Sequence, residues 1–456
     1  MAVSIDQRPL YQTLPIGQQV IFSVSHNTIV ATRFKVKFIA KVYVSTYAIN
    51  PSNDDQLIGT FKTTPNNAGV GIFDFRSILE TFLKPDYEGS TSPVGFGSTY
   101  KTSSETHPIH LIDKYAVSEN SIRHFGVNFD VEYAETANGD VLAPYQQSAT
   151  QEVISLPYLM FNGVLQYDDV LTSFQNDYGY YLGFPDGNNF FLNNNAPISP
   201  LGKFLTNSPT SQYARLTDYG TLPFLNYLPS STDRVGSIVL TYYNDAGVQI
   251  GTETVLQKTM FGGTDYFLSY AFSQLMYFGA FPGNLRNWST IFQALVAADT
   301  ISYYTLYAVS KGGASSQTYT INILCPNLRG YEAIRLAWLN QWGTWDYYTF
   351  NMKSTRSIAN KRTSYTQLGG TWNESTFKIS GYKGGKKNFR VNSTEKIKLN
   401  TDFVTEDEGV WFEELINSNE VYIVNGYSTD ITFAITNKYV EPVRLTTSSY
   451  VKKTIA

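Results

Sequence analysis

The chain has 456 residues, enough for roughly three domains at about 150 residues each. It is 42% hydrophobic, 15% aromatic and only 16% charged, a balance that excludes a disordered chain. A net charge of -4 gives no overall basic footprint for nucleic acid, and a single Cys excludes an internal disulfide.

The first residues, Met1 to Pro9, lack the basic start and apolar stretch of a secretory signal. No run approaches the ~20 apolar residues of a membrane helix; residues 268–276 are interrupted by Ser and Gln. The expectation is a soluble chain made inside a cell. Its wealth of Asn, Thr, Ser and Tyr nevertheless suits a protein that works outside one.

Along the chain, strand patterns dominate. Phe34, Val36 and Phe38 alternate with Arg33, Lys35 and Lys37, the period of a half-buried strand. Phe125, Val127, Phe129, Val131 and Tyr133 repeat it, with His124, Asn128, Asp130 and Glu132 between them. Residues 237–243 and 248–255 flank Asn244, Asp245, Ala246 and Gly247 and read as a hairpin. Residues 302–309 and 318–324 form a second pair around a Gly- and Ser-rich connector. Helical spacing is short: residues 77–83, ended by Pro85, residues 289–298, and residues 411–416, with acidic residues near the start. The fold class expected is all-β: a multi-domain β-sandwich protein with a few short helices and a long loop-rich insertion. Texture divides the chain into an N-terminal β-sandwich-like domain at 1–158 and a loop-rich insertion or arm at 159–234. A second β-sandwich-like domain follows at 235–327, and a C-terminal β-rich domain at 328–456.

Chemistry-bearing motifs are sparse. His107 and His110 have no acidic or Cys ligand at a motif-like distance, so they read as loop. Cys325 reads as a buried thiol, since a nucleophile requires an identifiable base. The Gly381 to Lys387 stretch has the wrong spacing for a phosphate loop and puts Lys387 where a hydroxyl should reach magnesium, so it reads as a turn tip. The Asn-x-Ser/Thr sites at Asn287, Asn373 and Asn392 mean little without a secretory route. No catalytic, cofactor or metal residue is assigned.

Charge and aromatics are more informative. Residues 351–400 hold eleven Lys and Arg against two Glu, net +9, while residues 401–415 hold six Asp and Glu and no Lys or Arg. This is either a solvated basic sheet face beside an acidic loop, or a pair of complementary patches joining neighbouring subunits. Nucleic acid is disfavoured by the acidic total. The Tyr178 to Phe184 and Trp342 to Tyr348 clusters suit a core, a protein interface or a sugar platform.

One stretch, Arg335 to Phe350, reads as a hairpin: Leu336 and Trp338 go out, Asn340 to Thr344 turn, and Trp345, Tyr347 and Thr349 return. It resembles a "WLN-x-x-G-x-x-D-x-Y/F-x-F" segment of structural proteins of tailed bacteriophages, notably phages of Bacteroidetes-type hosts. Gly71 to Leu79 resembles the "F-D-x-S-x-I-L" element of the same group, and Trp411 to Tyr422 its "W-L-x-x-L-x-x-S-x-x-V-Y" element. Asn417 and Asn419 flank the serine where that pattern is more apolar or has proline. The three cover under a tenth of the chain, in the family's order.

The resemblance implies a non-enzymatic virion component of the tail or baseplate, made in host cytoplasm and present in many copies. Its partners would be copies of itself and other virion proteins. The interface residues expected are Trp342, Trp345, Tyr347, Lys383, Lys386 and Lys387, with Glu406, Asp407 and Glu408 as acidic counterparts. Two readings compete. A receptor- or glycan-binding tip requires the Tyr180 and Trp342 clusters to be exposed. A glycan-degrading enzyme requires facing carboxylates, for instance from Asp168 or Asp169.

Overall fold

The computed structural model describes residues 3–10, 13–45, 56–85, 115–117, 120–142, 152–153, 158–164, 173–176, 179–182, 203–226, 235–256, 274–310, 313, 315–324, 330–371, 373–379, 384–424 and 440–446. The protein is all-β, with several sheets and a few short helices.

The first sandwich packs two sheets. One runs Thr13–Pro15, Tyr158–Phe161, Ile122–Ala134, Phe34–Ser45, Leu57–Thr63; the other runs Ser4–Gln7, Ile21–Ser25, Val70–Asp74. Their inner faces meet through Phe22, Phe38, Phe73, Phe75, Phe129 and Tyr158. Phe129 lies 5.6 Å from Phe22 and 5.7 Å from Phe73, ring to ring, in tilted contacts typical of aromatic cores.

The second region is built on a five-stranded sheet, Ser211–Arg215, Tyr319–Leu324, Tyr303–Ser310, Val235–Tyr243, Gln249–Leu256. A three-stranded sheet joins it: Thr221–Asn226, Gln274–Gly279, Tyr115–Val117. The helices Pro282–Trp288 and Thr290–Ala297 press Leu285 and Phe292 into the same core. The third sheet, Trp345–Phe350, Ile334–Leu339, Val421–Val424, Val440–Val443, is covered on one face by the helix Glu406–Asn417.

The expected hairpins are present. Val235–Tyr243 and Gln249–Leu256 pair antiparallel around a turn in which Gly247 has a φ of 72°. Tyr303–Ser310 and Tyr319–Leu324 form the second pair. The helix expected at 289–298 is Thr290–Ala297, capped by the Ser289 hydroxyl. The one expected at 77–83 is a single turn, Arg76–Leu79, extended by 3-10 backbone.

Several expectations need correction. Perfect alternation at 33–38 fails because Lys35 has a φ of 51° and the register shifts between Phe34 and Lys37, leaving Phe34 exposed. Ile122–Ala134 is buried on both faces, including His124, Asn128 and Glu132. Where it is described, the loop-rich stretch contributes strands to the sheets of the second region. Ser211–Arg215 lies parallel to Tyr319–Leu324, and Thr221–Asn226 pairs with Gln274–Gly279. Residues 3–160 and 334–421 each hold a core of their own, while a third cluster crosses 158, 234 and 327 and gathers Tyr115, Leu159, Phe204, Phe224, Leu240, Tyr304 and Trp345.

The double burial of Ile122–Ala134 carries a pH signature. Neither ring nitrogen of His124 has a hydrogen-bond partner among the described residues, and burial pushes its pKa down to about 4. The unfolded chain takes up that proton near pH 6.5, the folded chain only near 4. Stability is therefore full above the upper value and is lost as pH falls toward the lower. Between pH 7 and about 4.5 this one ring should cost about 2–3 kcal/mol. Urea melts of His124→Leu should lack that acid-side loss; an unchanged pH slope would show that the ring is not the source.

Candidate functional site: a basic ribbon rooted in an aromatic hairpin

The hairpin at 334–350 forms as the sequence suggests, with Leu339 opposite Trp345 and Ala337 opposite Tyr347. Its two faces serve two cores. Leu336, Trp338 and Phe350 meet Trp411, Phe412 and Leu415 of the helix Glu406–Asn417, with Trp338 and Trp411 rings 5.0 Å apart. Ala337, Trp342, Trp345 and Tyr347 enter the large second-region core.

The polar residues of the hairpin organise its turn. Asn340 Oδ1 accepts from the amides of Trp342 (3.0 Å) and Thr344 (3.1 Å), while its Nδ2 donates to the Leu205 carbonyl at 3.0 Å. Gly343 has a φ of 73° and abuts the Asn162 backbone: a Cβ there would lie 1.7 Å from the Asn162 oxygen. Asp346 accepts from Thr206 Oγ1 (2.6 Å) and Trp411 Nε1 (2.7 Å). Burial pushes its pKa up to about 6, against hydrogen bonds with Thr206, Trp411 and Asn340. Asn340, Gly343 and Asp346 thus join the hairpin to segments more than 60 residues away.

Beneath the hairpin lies a buried ion pair. Asp218 faces Arg335 at 3.7 Å and Arg215 at 2.8 Å, and Thr349 Oγ1 donates to it at 2.9 Å. Burial alone would raise the Asp218 pKa; the Arg335 and Arg215 guanidiniums overcome this and lower it. Arg335 donates to the Tyr219 carbonyl and to Thr349 Oγ1, and its guanidinium lies 4.7 Å from the Phe281 ring centre and 5.3 Å from that of Tyr347.

From this foundation rises a two-stranded ribbon, Thr355–Gln367 paired with Gly385–Lys398 in antiparallel register with one bulge. Thirteen residues of strand span roughly 40 Å. Nearly every residue is exposed on both faces. At its root Arg356 bridges Glu332 (2.9 Å) and Glu395 (3.1 Å), and Asn400 Nδ2 donates to the Lys353 carbonyl at 2.7 Å.

Residues directly opposite in an antiparallel pair share a face. One face therefore carries Lys361, Lys387, Arg390, Lys396 and Lys398 with no acidic residue, and Tyr365 sits on it with its ring 6.4 Å from that of Phe389. None of these five cations pairs with a carboxylate among the described residues. The other face carries Arg356, Arg362 and Lys386 with Glu395, and the exposed Ile358 and Val391.

The interface residues expected from sequence therefore separate. Trp342, Trp345 and Tyr347 are at most 3% exposed and belong to the core of this chain, which removes them from the surface offered to a partner. The same burial removes Trp342 from any exposed sugar platform. Lys386 and Lys387 lie on the exposed ribbon, on opposite faces. Lys383 lies outside the described residues, as do His107, His110, Asp168, Asp169 and Cys325. The acidic run is not a loop. Glu406, Asp407 and Glu408 form the first turn of the helix Glu406–Asn417, where they suit its positive end. Glu408 is engaged in a capping box with Thr405, accepting from the Thr405 amide at 2.8 Å.

Sequence reasoning missed Lys361, Arg390, Lys396 and Lys398 as members of one face. The counted net charge of 351–400 was the signal, and strand alternation would have sorted it.

No protein-family model and no curated protein matches the chain. Among solved structures, E. coli alpha-2-macroglobulin is similar at 8% identity and a TM-score of 0.20, over 92% of this chain and 21% of that one. The sialic acid binding region of the Streptococcus sanguinis SK1 adhesin is similar at 10% identity and a TM-score of 0.13, over 73% of this chain and 80% of that one. The chain thus spans about a fifth of the length of the macroglobulin. Neither likeness carries an argument about function.

Proposed function

We propose that this chain is a structural subunit of a bacteriophage virion, in the tail or baseplate, that assembles in multiple copies through β-domain contacts. The observation that carries the reading is the ribbon. A lone two-stranded hairpin is marginally stable in water. A ribbon that leaves both faces open and keeps large apolar side chains such as Ile358 and Phe389 exposed suits a protein whose neighbours complete it. The resemblance of the 335–350, 71–79 and 411–422 segments to phage structural proteins supports the same reading. So does the use made of the positions in those patterns: Trp338, Asn340, Gly343, Asp346 and Trp411 act in folding the subunit.

The test is the mass of the purified chain in solution by light scattering, with negative-stain images of the same peak. A closed ring or other defined oligomer is expected. A monomer that binds a glycan array with defined specificity overturns the reading in favour of a receptor-binding tip.

A further inference from the structure

Resting on that multi-copy reading, we infer that the ribbon Thr355–Gln367/Gly385–Lys398 is a docking arm whose cationic face seats on the acidic body of a second copy of this chain.

Residues 351–400 carry net +9 while the whole chain carries -4, so the remaining residues carry -13. One molecule therefore holds both a cationic arm and an anionic body. The five cations Lys361, Lys387, Arg390, Lys396 and Lys398 share one face of the ribbon, unopposed by any acid on that face. Such a face repels its equivalent on another copy and attracts an acidic surface, so the contact is arm to body rather than arm to arm.

The arm extends roughly 40 Å, several times the screening length of about 8 Å at physiological salt. Its outer half cannot be neutralised by its own body across that distance. The Arg356 bridges to Glu332 and Glu395 neutralise only the root, and they hold the arm at a fixed origin.

A purely electrostatic arm would be polar throughout. Here Tyr365 and Phe389 stand among the cations, and Leu368, Phe377 and Ile379 are exposed beyond the paired strands, Ile379 at 82%. Large exposed apolar side chains within a charged rim are the composition of a protein contact. A contact of unlike surfaces is heterologous, and repeated it builds a ring where the rotation closes and a filament where it does not.

The test uses the full chain and a Lys361→Glu/Arg390→Glu/Lys396→Glu variant, with Arg362→Glu/Lys386→Glu as a control that reverses charge on the opposite face. Far-UV circular dichroism confirms that all three fold alike. At about 50 mM salt the wild type should self-associate, and raising salt to about 500 mM should weaken this more than about tenfold. The triple reversal should weaken it by more than about tenfold at low salt, and the control by less than about threefold. Wild type should still bind the immobilised triple variant, whose body remains acidic, whereas the triple variant should not bind itself.

Each other outcome overturns the inference. If the triple variant self-associates as the wild type does, the arm is not the contact, and the multi-copy reading survives without it. If the wild type stays monomeric at about 100 µM and low salt, the second copy is not the occupant, and the multi-copy reading loses self-association as its basis. If the arm binds a short DNA duplex more tightly than it binds this chain, and the triple reversal abolishes that, the occupant is nucleic acid.

Discussion

Replacing Gly343 by alanine should destabilise the chain by about 3–5 kcal/mol, at the extreme of single substitutions. The backbone there has a φ of 73°, which costs a non-glycine residue about 1 kcal/mol or more. The steric cost is greater. The added Cβ would sit 1.7 Å from the Asn162 oxygen and 2.4 Å from its carbonyl carbon, so backbone rather than a flexible side chain must retreat. That retreat would pull on neighbouring contacts: the Val164 amide bonds to the Gln341 carbonyl at 2.8 Å, and a Cβ on Gly163 would itself meet that carbonyl at 2.6 Å. Here two chain segments touch backbone to backbone with no room for a side chain on either. Urea titration followed by tryptophan emission is the measurement, because Trp342 and Trp345 flank the site. A loss under about 1 kcal/mol would show that the two segments can part freely.

Removing the Arg335 guanidinium should cost a comparable amount, about 3–5 kcal/mol for Arg335→Leu. The change leaves Asp218 buried with Arg215 as its remaining cation and strips the Tyr219 carbonyl and Thr349 of a donor. It also removes the planar group packed against Phe281 and Tyr347. The diagnostic is the second change. Arg335→Leu combined with Asp218→Asn should recover part of the loss, since a neutral amide tolerates burial better than an unbalanced carboxylate. The pH dependence follows with its sign. Asp218 has a lowered pKa when folded, so its contribution is present above the ordinary carboxylate range and fades as pH falls through the lowered value. The single variant should lose part of this acid-side fading. Strictly additive single and double variants would mean that the two side chains do not act as a pair.

Much of the fold was legible where one face of a strand is buried and a turn is marked. The 235–256 hairpin had both, with Asn244 and Gly247 closing it. The ribbon is exposed on both faces, so no buried apolar face gave a period-two signal over 355–398. Only its charge was visible. The strand Thr221–Asn226 was hidden by Pro223, which reads as a breaker yet sits opposite Tyr277, its carbonyl accepting from the Leu205 amide. The helix Glu406–Asn417 was read from Trp411 onward because its first turn is acidic rather than apolar; the Thr405 to Glu408 capping spacing was the overlooked start signal. Trp342, Trp345 and Tyr347 stood out as important, but composition cannot distinguish a core ring from an interface ring. Their burial depends on which distant sheet lies above the hairpin, and that is set by pairings more than 100 residues apart, such as Tyr347 with Thr221.

The same long-range pairings set a schedule for biosynthesis. Tyr115 is placed by Phe224 and Phe278, and Gly163 by Gln341, so early segments are translated well before the residues that complete them. While the ribosome works through the stretch between, strands rich in Val, Phe and Tyr wait with open hydrogen-bonding edges. The first sandwich, whose core lies within residues 3–160, can close as it emerges, whereas the second core waits for residues near 340. Until the residue 340 region emerges, the open apolar surface of that second core is the part of the chain most exposed to aggregation.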